Sequence, residues 1–180
     1  MYHFARTANG IRVVTERVPY VQSVSLGIWV DTGARDETDG TAGISHFIEH
    51  LLFKGTERRS AQAIAEELDA VGGQINAFTD REHTCYYVKV LPEHVPLAQD
   101  ILADMLQHSV LDPEEIAREK NVILEEIKRH EDTPDELVHD LFAETLWPEH
   151  PLGRSVIGRA AVIESLTRDQ IVAFLSEQYP

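Results

Sequence analysis

Residues 43–55 read GISHFIEHLLFKG and carry a strong helical pattern. Their apolar residues recur at steps of three and four, which predicts one buried helical face. That face consists of Ile44, Phe47, Ile48, Leu51 and Leu52. Gly55 follows the pattern and is expected to end the helix as its C′ residue. The segment is therefore predicted to be a core helix around which the rest of the fold is arranged.

The polar side of this predicted helix carries the motif H-x-x-E-H. His46 and His50 are four residues apart, so their imidazoles project side by side. Two neutral imidazoles at this spacing can bind one Zn²⁺ ion. Glu49 borders the same site, where a carboxylate can accept a proton from an activated water. The alternative reading is an exposed polar helix edge without a metal, which short motifs of this kind also produce.

A catalytic zinc site needs a third protein ligand and keeps one position open for water. Candidates lie in the segment EEIAREKNVILEEIKRH, residues 114–130, where Glu119 and Glu126 are two helical turns apart on one face. Glu125 points away from that face. One acid could ligate the metal while the other supports a ligand by a hydrogen bond. The spacing alone leaves open which acid has which role.

The segments before and after the motif predict an α+β fold, with an antiparallel sheet packed against helices. Residues 11–18 and 23–33 are β-branched and apolar, and residues 74–80 and 83–91 predict a hairpin after Gly72-Gly73. The remaining patterns are helical. They cover residues 61–71, 95–110, 113 to about 129, 135–147 and 169–179. The expected caps are Ser60, Asp112 and Thr133, with a capping box at Thr167 and Gln170.

Composition narrows the function classes. The 180 residues have a net charge of −15, which argues against nucleic acid or an anionic membrane as a partner and suits a basic peptide. Cys85 is the only cysteine and lies in a strand pattern, so it is interpreted as an inert buried thiol. Neither a secretory signal nor a transmembrane stretch is visible, which leads us to expect a cytoplasmic location.

Four motifs in order resemble the pitrilysin, insulysin and mitochondrial processing peptidase family, especially its bacterial processing-peptidase-like branch. H-x-x-E-H is the inverzincin motif of these zinc metallopeptidases. The resemblance extends from about Asn9 to Tyr179. The motifs are GISHFIEHLLFKGT (43–56), GGQINAFTDREHTCYY (72–87), EKNVILEEIKRHEDTPDE (119–136) and HPLGRSVIG (150–158).

This resemblance implies a role for each matching residue. His46, His50 and Glu126 match the ligands of one Zn²⁺ ion per chain, and Glu49 matches the general base. Glu119 matches an acid that supports the zinc site. The resemblance also implies an edge strand that pairs with the backbone of an extended peptide substrate. That strand contains Asn76, Ala77, Phe78 and Thr79.

Family members are longer than this chain and are built from repeated α+β domains that enclose the substrate in a chamber. Residues 1–180 accordingly resemble an N-terminal zinc-binding catalytic domain, incomplete in itself. The resemblance implies a C-terminal half or a partner subunit, including a homodimer, to close the chamber. The N-terminal part alone would be a zinc metalloendopeptidase with weak or no activity.

Two other functions remain as alternatives. S-ribosylhomocysteine lyase also uses H-x-x-E-H, but its third ligand is a cysteine well downstream, whereas Cys85 lies in a strand pattern close to the motif. A non-catalytic structural or partner subunit of the same fold is the second alternative. Inactive relatives typically lose part of the metal set, and all four expected residues are present here.

Overall fold

The computed structural model describes residues 2–179, in which three strands are followed by two α-helices, two further strands and five α-helices. The strands are β1 (Tyr2–Arg6), β2 (Arg12–Glu16), β3 (Val24–Val30), β4 (Gln74–Thr79) and β5 (Thr84–Val90). The helices are α1 (Ile44–Leu52), α2 (Ala61–Asp69), α3 (Val95–His108), α4 (Pro113–Glu131), α5 (Pro134–Leu146), α6 (Ala160–Ser165) and α7 (Arg168–Gln178).

A three-stranded antiparallel sheet in the order β3-β5-β4 forms one layer of the domain. Leu26 and Ile75 both lie opposite Val88, which is fully buried. Because strand side chains alternate between faces, this row faces the helices. The opposite face carries Trp29 and Phe78, both exposed. The expected α+β fold, with an antiparallel sheet against helices, is confirmed.

Helix α1 occupies the centre of the core. All five residues of its predicted apolar face are no more than 1% exposed, and the helix packs against α4 and β4. The predicted end of the helix is wrong in detail, because the helix ends at Leu52 with Phe53 as its C-cap. Gly55 lies two residues further on with φ of +118°. A residue with a side chain would be strained in that left-handed conformation, so Gly55 redirects the chain towards α2.

The start of α1 is held by two features outside the helix. Its N-cap residue is Gly43, which has no side chain, and Glu37 takes over the capping role. The two carboxylate oxygens of Glu37 accept hydrogen bonds from the backbone N–H groups of Gly43 and Ser45, at 2.7 and 2.9 Å. Gly158 also packs against Gly43 so closely that a Cβ there would lie 2.5 Å from the Gly43 Cα. The position of the helix is therefore fixed before its first histidine.

The other helix starts follow the sequence with one exception. Ser60 caps α2, Asp112 caps α4, and Thr167 and Gln170 form the capping box of α7, all as predicted. Thr133 does not cap α5, because its hydroxyl donates to the carbonyl of Arg129 in the preceding helix. Strand β1 and the short helix α6 were not predicted.

The N-terminal hairpin stands apart from this core. β1 and β2 pair antiparallel, with Phe4 opposite Val14, and all ten of their residues are exposed. Phe4 and Val14 are 62% and 63% exposed. The hairpin thus contributes little apolar burial to the part of the chain described here.

None of the helices within residues 2–179 combines the length and the apolar character needed to cross a lipid bilayer.

Candidate metal centre

Helices α1 and α4 bring two imidazoles and a carboxylate to one point. The rings of His46 and His50 lie side by side with their centroids 4.7 Å apart. Glu126 Oε2 lies 3.9 Å from Nε2 of His46 and 3.7 Å from Nε2 of His50. One ligand atom from each of the three residues lies within 4.8 Å of the others. Within residues 2–179 this is the one group of three or more such side chains that could hold a metal ion.

Burial keeps the imidazole of His46 neutral. Removal from water disfavours the charged imidazolium, and the neighbouring His50 adds to the effect, so the pKa of His46 falls to about 4. The ring is therefore neutral at neutral pH and keeps a lone pair for a metal. Nδ1 of His46 is buried without a hydrogen-bond partner among the described residues.

His50 is oriented by a carboxylate on the side away from Glu126. Its Nδ1 lies 2.8 Å from Oε1 of Glu119, whose side chain is only 5% exposed. An ionised carboxylate can only accept here, so Nδ1 carries the proton and Nε2 presents its lone pair. Burial alone would raise the pKa of Glu119, but hydrogen bonds from His50 and Lys54 outweigh it and hold that pKa below its usual range.

The choice between the acids of α4, which the spacing leaves open, has a clear geometrical outcome. Glu126 faces Nε2 of both histidines, whereas Glu119 contacts His50 at Nδ1. Glu125 is exposed and pairs with Lys128. The positions agree with those that the resemblance implies, with Glu126 beside the metal position and Glu119 behind a ligand. The ligand roles themselves stay predictions.

Glu49 projects from α1, the helix of the two histidines, towards the end of β4. Its Oε2 accepts a hydrogen bond of 2.5 Å from the hydroxyl of Thr79. Burial raises the pKa of Glu49, the Thr79 hydrogen bond and His50 oppose that rise, and Glu126 adds to it. A carboxylate whose pKa lies above its usual range is a better proton acceptor, which suits a general base.

The predicted substrate strand lies at the edge of the sheet. β4 pairs with β5 on one side and with no other strand in residues 2–179. Asn76 and Phe78 face outward and are exposed, whereas Ala77 and Thr79 face the helices. The open edge runs directly to Glu49, because Thr79 is the last residue of β4.

Three contacts at or near the site were not predicted. The Thr79 side chain touches Glu49, Lys54 pairs with Glu119, and Glu37 caps α1. A sequence signal existed for Lys54, which follows His50 by four residues, and for Glu37, since a helix starting at Gly43 lacks a capping side chain. The contact of Thr79 joins residues thirty apart and had no local signal.

Cys85 lies outside the group. Its side chain is 2% exposed, and burial raises the pKa of its thiol. It sits in β5 between Trp29 and Phe78, on the face of the sheet that points away from the helices. The thiol is therefore buried, as predicted, and its inertness stays a prediction.

Comparison with known proteins gives a family for this arrangement. Residues 12–160 match the family profile described as insulinase, peptidase family M16. Over 95% of the chain, a protein of Bacillus subtilis named an uncharacterized zinc protease is 48% identical. A protein of Streptomyces coelicolor with the same description is also 48% identical over 95% of the chain. The chain spans 42% and 37% of these two relatives.

Solved structures share the fold. A protease from Helicobacter pylori superimposes with a TM-score of 0.94 at 25% identity, covering 99% of this chain and 44% of that protein. A structure from Pseudomonas fluorescens, described as a peptidase M16 inactive domain, gives a TM-score of 0.87 at 20% identity over 98% of this chain and 43% of that one. The chain thus spans less than half of the relatives that it matches.

Proposed function

The chain belongs to the peptidase M16 (insulinase) family, and we propose that it is the zinc-binding catalytic part of an endopeptidase that hydrolyses extended peptides, with Glu49 as general base. The observation that carries this proposal is the convergence of His46, His50 and Glu126, whose ligand atoms lie within 4.8 Å of one another. Two nitrogens and one carboxylate oxygen are a ligand set of catalytic zinc sites, which leave a fourth position open.

The surroundings of the three donors support zinc as the ion. His46 is neutral at neutral pH, with a pKa of about 4. His50 is held by Glu119 in the tautomer that frees Nε2. Histidine ligands commonly donate their second ring nitrogen to a carboxylate in this way. When bound, zinc supplies Lewis-acid polarisation of a peptide carbonyl and lowers the pKa of a water towards about 7.

In the proposed reaction Glu49 moves the protons. Its carboxylate accepts a proton from the attacking water and later returns it to the amine that leaves. Thr79 holds one oxygen of Glu49 by the 2.5 Å hydrogen bond, so the other oxygen is available for the water. Such positioned proton transfer contributes about 10²–10⁴ in rate.

We propose that the substrate binds as an added strand along β4. Within the segment Asn76, Ala77, Phe78 and Thr79, alternate residues would turn their main-chain N–H and C=O groups to the open edge, where an extended peptide could pair with them. Strand pairing recognises the main chain of the substrate more than its side chains, so this binding mode suits a peptidase that cuts unstructured segments. The net charge of −15 would favour peptides that carry basic residues.

The assembly is also part of the proposal. Residues 1–180 would be the N-terminal zinc-binding domain of a longer enzyme, because the chain spans only 42% of its Bacillus subtilis relative. The remaining length, in the same polypeptide or in a partner subunit, would close a chamber around the peptide. A homodimer is one assembly of this kind.

A metal measurement tests the site. We expect one zinc per chain by elemental analysis after metal-free purification and addition of one equivalent, and loss of that zinc in Glu126→Gln. Glu125→Gln is the matched control, because it makes the same change at the adjacent exposed residue. Equal zinc in wild type and Glu126→Gln would refute the ligand role of Glu126, and Glu119→Gln would then be measured.

A second measurement separates a peptidase from a non-catalytic subunit. We expect the zinc-loaded chain to cleave an unstructured peptide, slowly if the rest of the chamber is needed, and Glu49→Gln to keep zinc but lose at least about a hundredfold in rate. Zinc binding with no cleavage in either protein, also after extension to the length of the relatives, would favour the structural subunit. Cleavage by Glu49→Gln at the wild-type rate would refute its role as base.

A further inference from the structure

Lys54 lies just beyond the end of α1 and reaches back towards the candidate metal centre. Its Nζ is 2.6 Å from Oε2 of Glu119, and its side chain is 31% exposed. The backbone on either side is held firmly. The N–H of Lys54 donates to the carbonyl of Leu51, and the ring of Phe53 packs near that of Tyr86. Gly55 then turns the chain away. The lysine therefore has a defined origin from which to reach Glu119.

Glu119 uses its two oxygens for two different partners. Oε1 lies 2.8 Å from Nδ1 of His50, and Oε2 lies 2.6 Å from Nζ of Lys54. The terminal torsion of a glutamate is soft, so a carboxylate held at one oxygen can rotate. Contact at both oxygens fixes its plane. Because the carboxylate is nearly fully buried, water is poorly placed to replace either partner.

The orientation of His50 depends on this plane. Nδ1 points to Glu119, and Nε2 on the other side of the ring points to Glu126, at 3.7 Å from its Oε2. A rotation of the carboxylate would turn the ring and move Nε2 away from the point that it shares with His46 and Glu126. Lys54, Glu119 and His50 therefore form a continuous chain of contacts that ends at the donor atoms.

We propose that Lys54 is a positioning residue for the zinc site, which acts through Glu119 to hold the His50 imidazole in its ligating orientation. This inference rests on the proposed function, because it assumes that His50 binds the metal. Lys54 itself contacts neither the donors nor the substrate strand in the contacts described. Its effect should therefore appear in metal affinity and vanish when Glu119 can no longer transmit it.

Electrostatics and positioning predict opposite signs, which makes the inference testable. A cation near the site repels Zn²⁺, so loss of its charge alone would tighten zinc binding. Loss of its positioning contact would weaken zinc binding, since outer partners of ligating histidines typically contribute 10–100-fold. We expect positioning to dominate, because the contacts pass through the buried carboxylate of Glu119, whereas water partly screens the charge of Lys54.

The experiment measures the zinc dissociation constant by competition with a chromophoric chelator. We expect Lys54→Met to weaken binding about tenfold, and Lys54→Arg, which keeps a cationic donor, to restore most of the affinity. Lys128→Met is the matched control. It removes the same charge from α4, where Lys128 forms an exposed pair with Glu125. We expect this control to bind zinc as tightly as the wild type or slightly more tightly.

A double-mutant cycle then asks whether the effect passes through Glu119. We expect Glu119→Gln to weaken zinc binding, and Lys54→Met to add little in that background, because the two residues act as one unit. Wild-type affinity in Lys54→Met, or a full additional loss in the double variant, would overturn the inference. Absence of zinc binding in the wild type would instead refute the proposed function.

Thermal unfolding of the metal-free variants controls for folding. If Lys54→Met fails to fold, Lys54→Gln and Lys54→Arg provide the comparison, since one lacks and the other keeps the cation. Weak zinc binding by the glutamine variant with near-wild-type binding by the arginine variant supports the inference. Equal zinc binding by the two overturns it.

Discussion

Two charged clusters lie at opposite ends of the loop that follows α1, and they differ in how fully their groups are paired. The arginine cluster joins this loop to α3 and contains Thr56, Arg58, Arg59, Asp100 and Asp104. Asp104 is fully buried and accepts from Thr56 at 2.7 Å and from both arginines at 2.9 Å. Asp100 accepts from the same two arginines. Every carboxylate oxygen of this cluster thus has a donor.

In the candidate metal centre, Glu119 is fully paired, whereas Glu126 and the Nε2 atoms of the two histidines are not paired with one another. Glu119 is satisfied by His50 and Lys54. The closest contacts between Oε2 of Glu126 and the Nε2 atoms of the two imidazoles are 3.7 and 3.9 Å, which is too long for hydrogen bonds. A structural cluster saturates its own groups, whereas this one leaves three donor atoms directed at a common position. The difference in pairing distinguishes a cluster that stabilises the fold from one that is suited to bind.

The largest expected effect tests the structural side of this comparison. We expect Asp104→Ala to lower the free energy of unfolding by about 3–5 kcal/mol, because it removes three hydrogen bonds to a fully buried carboxylate. Denaturant unfolding measures it. Asp100→Ala is the control, since that carboxylate is 45% exposed and its loss should cost about 1 kcal/mol or less. Equal costs for the two variants would show that burial of Asp104 adds nothing.

The next-largest effect tests whether the unpaired donor atoms of the candidate metal centre bind zinc. We expect zinc at about 100 times its dissociation constant to raise the free energy of unfolding by about 2.7 kcal/mol, because the ion binds the folded state. Glu126→Gln should abolish this rise and barely change the metal-free protein. Thermal unfolding with and without zinc measures both. A similar stabilisation of Glu126→Gln by zinc would mean that the ion binds elsewhere.

Acid should weaken the arginine cluster in a defined pH range. Burial tends to raise the pKa of Asp104, but hydrogen bonds from Thr56, Arg58 and Arg59 outweigh it and lower that pKa to about 2. Between pH 4 and 2 the unfolded chain binds this proton and the folded chain does not, so stability falls as pH falls. The contribution is complete above about pH 4 and amounts to roughly 2 kcal/mol.

The measurement compares wild type with Asp104→Asn in metal-free unfolding experiments from pH 6 to pH 2. The difference in stability between the two should shrink as the pH falls through this range. A constant difference would show that Asp104 is not the group whose protonation matters.

The smallest expected effect concerns the hydrogen bond from Thr79 that positions the Glu49 carboxylate. We expect Thr79→Val to lower kcat about five- to tenfold, since one hydrogen bond contributes about 1 kcal/mol. Zinc content and KM should stay unchanged. Thr79→Ser keeps the hydroxyl and should retain most of the activity. A loss of zinc in Thr79→Val would place the residue in the metal site instead of at the base.

Local patterns predicted the elements that position the candidate site. The apolar steps of α1 and the caps at Ser60 and Asp112 depend on neighbours within a few residues, so the sequence displays them directly. The facing of Glu119 and Glu126 follows from helical geometry in the same way. The packing of α4 against α1 decides which of the two acids approaches the Nε2 atoms of the histidines. The family resemblance predicted that this acid is Glu126, whereas the spacing alone did not.

Features that depend on distant contacts were not predictable in this way. Glu37 caps α1 across a loop, and Thr79 meets Glu49 only because β4 ends beside that helix. Thr133 resembles a cap in sequence, yet its hydroxyl binds back to Arg129. In each case a side chain chooses between partners of similar chemistry, and only the packed fold decides the outcome.

The exposed β1–β2 hairpin has a consequence for how the domain opens. A two-stranded hairpin without an apolar layer beneath it is marginally stable in water, and all ten residues of these strands are exposed. Its backbone amides should therefore exchange with solvent through local opening, long before those of β5, whose strand is flanked on both sides. We correspondingly expect a protease to cut the turn from Thr7 to Ile11 before it cuts β5. We expect the hairpin to open as a separate cooperative unit attached to the more protected three-stranded sheet.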